Sequence, residues 1–216
     1  MEFQAVLRNR RSIRRFKSTP VAADLVRELL DQARWSPSWA NTQGWHVFVA
    51  TGATLERIQE DYRNAEDSGQ APSPDFRMPD RNWPEPMRSN NQALIQVLES
   101  ARQLEPTAPA RGLALGFGAP CLLLVAVDRR LAPDCACFDA GLFVQSLCLA
   151  AHDRGLGTCI MARAVRHPHL LRAALPGAAG MAFVAGVALG YPEPDTPINT
   201  FQRPRAALEG FVTWTD

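Results

Sequence analysis

The chain has 216 residues, with 23 basic and 22 acidic side chains and a formal net charge of +1. At 46% hydrophobic and 21% charged, the composition excludes a disordered, collagen-like or disulfide-scaffold protein, and the length suits one domain or at most two small ones. No run of about 18 apolar residues occurs, so no transmembrane helix is expected.

Lys17 is the only lysine, so 22 of the 23 cations are arginine. A GC-rich genome gives that bias, and so does a need to grip phosphate, which the guanidinium fork does better than an ammonium. The charge is also unevenly laid out. Arg8 to Lys17, RNRRSIRRFK, takes six of the 23 cations and no anion, leaving 17 bases against 22 acids elsewhere. Glu2 precedes the first apolar stretch and the arginines follow it, the wrong order for a secretory signal. The five cysteines are an odd number, and three lie in apolar runs where a free cysteine acts as a small buried hydrophobe. No second Cys/His pair joins Cys135 and Cys137 to complete a zinc site. A soluble, cytoplasmic chain without a metal is expected.

Phe3, Val6 and Leu7 share one face of a short first helix. Thr19-Pro20 opens a second over about 22–34, with Leu25, Leu29, Leu30 and Ala33 at helical spacing. The turn-rich stretch from Ser36 to Gly44 leads into a strand at 45–50, and a third helix covers about 53–65. Five prolines between positions 72 and 86 then mark an arm or lid at about 66–90 within a single domain spanning 1–216. A helix at roughly 89–104 follows. Pro120 to Val127 is a continuous apolar strand of the kind buried on both faces. Phe138 to Ala151 has only three polar residues in fourteen, and a helix apolar on nearly all sides belongs in a core or a subunit interface. Strands at about 157–162 and 181–189 complete a sheet. The proline-rich tail from Gly190 runs extended and ends in the apolar LEGFVTW, which needs a surface. The mixture defines an α/β or α+β domain.

Three segments can carry chemistry. Arg10, Ser12 and Arg14 alternate, so an extended backbone sets them on one face; with Arg11 in the same run they form a candidate phosphate pocket. Arg203-Pro204-Arg205 repeats the alternating pair on the tail, so two pairs can clamp one dianion. Pro37, Ser38, Trp39, Asn41 and Gln43 place amide and hydroxyl groups in a turn, suited to a heterocycle with a mixed edge, although turns use such residues anyway. Arg154 to Met161 offers glycines for a close backbone approach, but no dinucleotide fingerprint is present. Nucleophile elbow and Walker loop are also absent, and His167-Pro168-His169 reads as a helix start. A nucleic-acid module built on Arg8 to Lys17 conflicts with a pI of about 7.7.

In this order the blocks RRSIRRF, WSPSWANTQGWHVF, GAPCLLLVAVD, DAGLFVQSLCLAA with RGLGT, and ALGYPEPDTPINTFQRPRAALEGFVTW resemble the FMN-dependent nitroreductase family, and the spacing and tail are most similar to its nitrobenzoate-reductase-like branch. The resemblance covers all but about 66–90. It implies an α+β three-layer fold with a central mixed sheet, in a homodimer with a swapped C-terminal tail and FMN at the interface. It further implies that Arg10, Arg11, Ser12, Arg203 and Arg205 hold the FMN phosphate and that Arg14 lies at the flavin N1/O2 edge. Pro37, Ser38, Trp39, Asn41 and Gln43 would line the ring, with the backbone at Ala162 and Arg163 facing N5. Arg163 stands where many relatives have glycine. NAD(P)H would reduce the flavin, and a nitroarene or similar electron-poor acceptor would reoxidise it in ping-pong fashion, without a catalytic side chain beyond Arg14's tuning. Phe76, Trp83 and Met87 on the arm would select substrate, or merely pin the loop. Reductive dehalogenation, ene reduction or dehydrogenation on the same FMN scaffold are the alternatives.

Overall fold

A computed structural model describes residues 1–77, 82–104 and 115–215. Its centre is a four-stranded sheet in the order β1-β2-β4-β3, formed by β1 (Trp45–Thr51), β2 (Cys121–Asp128), β3 (Gly157–Met161) and β4 (Met181–Gly190). Where a mixed sheet was expected, every ladder between these strands is antiparallel, and the parallel contact among the described residues is a single bridge between Ser12 and Thr158.

The apolar run of β2 is buried at every position from Cys121 to Val127 because helices cover both faces of the sheet. Leu122, Leu124 and Ala126 join one core with α3 (Gly52–Asp67) and α6 (Pro168–Ala174). Cys121, Leu123, Val125 and Val127 join a second core with α2 (Ala23–Ala33) and α5 (Pro133–Asp153). The alternation is the period-two geometry of a strand sorting one apolar run onto two faces. The result is an α+β sandwich of three layers.

Helix α5 begins at Pro133, five residues before its apolar stretch, because proline fits the first turn of a helix and its missing N–H costs nothing there. By length and mean hydropathy α5 is apolar enough to cross a membrane. However, seven of its buried residues, from Ala136 to Ala151, pack into the second core. The remaining face stays open, with Phe138 69% exposed. The short α1 (Phe3–Asn9) leads into the arginine segment, and α4 (Met87–Gln103) packs on α7 (Pro197–Thr200) of the tail. His167 precedes Pro168 at the first turn of α6, as the helix-start reading requires.

The proline-rich arm is anchored by its first half. The Asp75 side chain, 8% exposed, takes an N–H from Phe183 at 2.9 Å and pairs with both Arg129 and Arg172. Phe76 packs against the second core beside Val127 and Leu131, which pins the loop. Residues 78–81 of the arm lie outside the described residues.

Candidate functional site

The segment after α1 makes two isolated bridges, Ser12 to Thr158 and Phe16 to Pro192. Ile13 and Phe16 enter the core, while Ser12 pairs with Thr158 and the backbone N–H of Ile13 donates to the Thr158 carbonyl at 2.8 Å. This close approach needs Gly157: a Cβ there would stand 2.6 Å from Cγ1 of Ile13.

The arginines converge at the C-terminal end of α5. The Arg203 guanidinium donates to the carbonyls of Arg8 and Arg10, which ties the tail to the N-terminal segment. Burial lowers the Arg203 pKa, and the fields of Arg11, Arg205 and Arg10 lower it further. Four cations therefore crowd one place. His152, in the last turn of α5, feels the same group: burial lowers its pKa first, then Arg10 and Arg203, with only Asp153 opposing among the leading charges. Its buried Nε2 has no hydrogen-bond partner. Arg11 is turned partly away from this role, because its two terminal nitrogens donate to the carbonyls of Asn199 (2.7 Å) and Phe201 (3.0 Å).

Arg14 lies next to this cluster in a cavity of about 210 Å³ that it shares with Leu115, Phe117, Cys159, Met161, Ala162 and Arg163. Burial raises the Cys159 pKa, and the field of Arg14, the Ser12 hydroxyl and the field of Arg10 pull it back. The backbone at 162–163 thus faces the same space as Arg14. Arg163 fits without a glycine conformation, since the backbone here stays out of the left-handed region. Its side chain swings instead onto Glu66 of α3, with Nε 2.8 Å from Oε1. That hydrogen bond holds the Glu66 carboxyl below its usual pKa.

The second predicted group lies at the other end of α5. Ala40, Asn41 and Gln43 all adopt positive φ, of 47°, 58° and 49°, a region costly to residues with a Cβ. The turn is held by two side chains. Both oxygens of Asp139 accept the Trp39 N–H at 3.1 Å, and Ser38 Oγ accepts the Gln43 N–H at 2.9 Å. Strain of this kind collects at ligand sites. Trp39, 70% exposed, and Phe138 flank a cavity of about 660 Å³ with Pro37, Ser38, Cys135 and Leu142. Trp83 is half-buried and Met87 is exposed at the start of α4, whereas Phe76 packs against the second core.

Two residues that position the site lie within the blocks of family resemblance, yet the pattern of the chain assigns them no role. Asp139 is the buried carboxylate behind the Trp39 turn. Asn199, also buried, accepts the Arg14 N–H at 2.8 Å and donates to the Arg15 carbonyl at 2.8 Å and the Glu193 carbonyl at 3.1 Å, so it splices the arginine segment to the tail.

A sheet between two helical layers, with a cluster of arginines at one end of a long half-open helix and a strained turn at the other, defines an α+β fold. The comparisons make this specific. The model of the nitroreductase family matches residues 7–191, and the chain belongs to that family. It is 32% identical to the 4-nitrobenzoate reductase of Pseudomonas putida, over 98% of this chain and 94% of that protein. It is also 32% identical to the chloronitrobenzene nitroreductase of Comamonas testosteroni, over 97% and 95%. The solved structure of the FMN and NADPH-dependent nitroreductase NfnB from Sphigopyxis sp. strain HMH shares the fold, with a TM-score of 0.92 at 24% identity over 100% of both chains.

Proposed function

We propose that the protein is an FMN-dependent, NAD(P)H-consuming reductase of nitroaromatic or similar electron-poor acceptors, working as a cytoplasmic homodimer. The observation that carries this is the cluster of Arg10, Arg11, Arg203 and Arg205, whose leading mutual effects are repulsive. Such a group fits a phosphate dianion, which a guanidinium binds with paired, charge-assisted hydrogen bonds. It adjoins the Arg14 cavity, where a ring attached to that phosphate would lie.

When bound, FMN supplies the two-electron redox chemistry, accepting reducing equivalents from NAD(P)H and passing them to the acceptor in turn. The chain's own residues bind and orient. Arg10, Ser12, Arg203 and Arg205 hold the phosphate, with Arg11 bracing the tail behind them. Arg14 sets a positive charge at the N1/O2 edge, and the N–H groups at Ala162–Arg163 are donors for N5. Trp39, Asn41 and Gln43 cover the ring and keep water from it.

The two halves of this site lie apart within one chain. From Asp139 to His152 along α5 is about 20 Å at the helical rise per residue. Pairing two copies of α5 antiparallel across their open faces would bring one copy's arginine end to the other's Trp39 end, as a two-fold interface requires. The tail supports the same assembly. Phe211 is exposed and Trp214 is 85% exposed, while β1 is an edge strand beside an apolar groove lined by Val21, Val26, Leu30, Val49 and Leu55. An open edge of this length calls for cover, and the tail of the second copy is the occupant we assign. All five cysteines are free, which suits a reducing compartment. A nucleic-acid role lacks comparable support, because Arg10, Arg11 and Arg14 are half-buried against the tail and β3.

The purified protein should be yellow, bleach with NAD(P)H and recolour with a nitroarene. A colourless protein that refuses added FMN would overturn this reading.

A further inference from the structure

The backbone at Ala162 and Arg163 borders the Arg14 cavity, just past the end of β3 at Met161. A single helical turn, Arg163–Val165, follows. Two long hydrogen bonds close it, from the Val165 N–H to the Ala162 carbonyl at 3.2 Å and from the Arg166 N–H to the Arg163 carbonyl at 3.3 Å. A lone turn of this tight kind has poor hydrogen-bond geometry and needs outside support to hold its shape.

Helix α3 supplies that support. The Tyr62 hydroxyl donates to the Ala164 carbonyl at 2.7 Å, and both residues are buried. Burial pushes the Tyr62 pKa up, opposed by a backbone hydrogen bond from His167, so the phenol stays protonated and links the turn to the start of α6. Four residues on, along the same face of α3, Glu66 receives Nε and a terminal nitrogen of Arg163 on its two oxygens. The sheet provides the seat. Gly186 of β4 is the register partner of Met161, and a Cβ there would collide with the Ala164 methyl group. Tyr62 and Ala164 belong to the core on the sheet face opposite α5, so pairing two copies across α5 leaves these contacts in place.

Exposure ranks the two ties. The Glu66 and Arg163 side chains are 31% and 41% exposed, and an ion pair that open to water stabilises little. The Tyr62 bond is sealed from water, so its loss leaves a buried carbonyl without that donor. Neither Tyr62 nor Glu66 lines the Arg14 cavity, so any effect on a ring held there must pass through the turn.

We propose that Tyr62 is a positioning residue for the redox step: through the Ala164 carbonyl it fixes the 162–163 backbone against the flavin, with Glu66 assisting through Arg163. This rests on the reading above, in which the N–H groups of Ala162–Arg163 are the donors for N5.

The test is Tyr62→Phe, which keeps the ring and removes the hydroxyl. In the apoprotein, amide hydrogen exchange at Val165 and Arg166 should quicken about tenfold while exchange in β2 holds. In the FMN-loaded protein, FMN affinity should stay within about threefold, because the arginine end is a separate site. Anaerobic reduction by NAD(P)H should slow about tenfold, since a misplacement well under 1 Å costs rate on that order. The flavin midpoint potential should shift as well. Glu66→Ala should move the same readouts by only about threefold, and it carries the test if Tyr62→Phe does not fold. A lowered Tm with wild-type potential and reduction rate would overturn the proposal, because the hydroxyl would then be a core bond and nothing more. So would a larger effect in Glu66→Ala than in Tyr62→Phe. Failure of the underlying reading looks different: FMN added to the wild type would leave exchange across 162–166 unchanged.

Discussion

Removing the Asp139 carboxylate should loosen the Trp39 turn more than it unfolds the protein. Asp139→Ala deletes an acceptor that meets the Trp39 N–H with both oxygens at 3.1 Å. A hydrogen bond to a charged group contributes about 1.5–3 kcal/mol. Two effects pull the global cost toward the lower end: the variant no longer buries a carboxylate, and the N–H of an exposed Trp39 can turn to water. A loss of about 1.5 kcal/mol lowers Tm by about 3–6 °C for a domain of this size. Locally the balance is worse. Ala40, Asn41 and Gln43 hold left-handed backbone, each at a cost of about 1–2 kcal/mol, and that strain is released once the anchor is gone. The covering half of the site then disperses, and FMN affinity should fall by more than tenfold while most of the stability survives. Asp139→Asn should fall between, since its amide oxygen still accepts but its NH₂ faces a donor. Thermal denaturation of the apoprotein together with fluorescence titration of FMN reads both effects. Wild-type FMN affinity in Asp139→Ala would refute the claim that this carboxylate shapes the turn.

Arg205→Ala should lose FMN on gel filtration, whereas Arg14→Ala should keep part of it, reduce about ten- to hundredfold more slowly and shift the flavin potential; an unchanged potential would sink the Arg14 role. Gly157→Ala sets a methyl group against Ile13, so it should displace the arginine segment and weaken FMN binding; full affinity would show that the close approach is dispensable. The apoprotein should be acid-sensitive through its histidines. Burial, then His169 and Arg166, lowers the His167 pKa, and His152 shifts the same way. Their folded values thus lie below the unfolded value of about 6.5, so the stability is complete above pH 6.5 and is lost as pH falls through the window beneath it. Tm should hold from pH 8 to 7 and decline below about 6.5, more shallowly in His167→Gln; identical slopes would refute the assignment.

Much of the fold could be read from the chain because it rests on local pattern. The unbroken apolar run of Cys121 to Val127 is a doubly covered strand, and the apolar helix ending at Arg154 has one face in the core and one still open. In the arginine segment Ile13 and Phe16 are the buried anchors beside half-buried Arg10, Ser12 and Arg14. The partners of the positioning residues were not legible. Asp139 reaches a turn 100 residues earlier and Asn199 a segment 185 residues earlier, and no periodicity encodes such pairings. Glu66 is an ordinary surface acid on α3 until the fold brings Arg163 to it. Phe76 had two open roles, and its packing against Leu131 and Val127 favours the pinning one. Arg11 shares its neighbours' sequence context, but its guanidinium goes to the tail carbonyls.

The central claim is that each site is built from the arginine end of one copy and the Trp39 end of another. It can be tested by co-expressing two differently tagged variants, one carrying Arg10→Ala with Arg205→Ala and the other Trp39→Ala with Asn41→Ala, and measuring flavin bound per protomer. Each variant alone should bind almost none. In a mixed dimer one site inherits both defects and the other inherits neither, so random pairing should restore about one quarter of the wild-type flavin. No recovery, with mixed dimers demonstrably formed, would contradict the split site and place the whole of it within one chain.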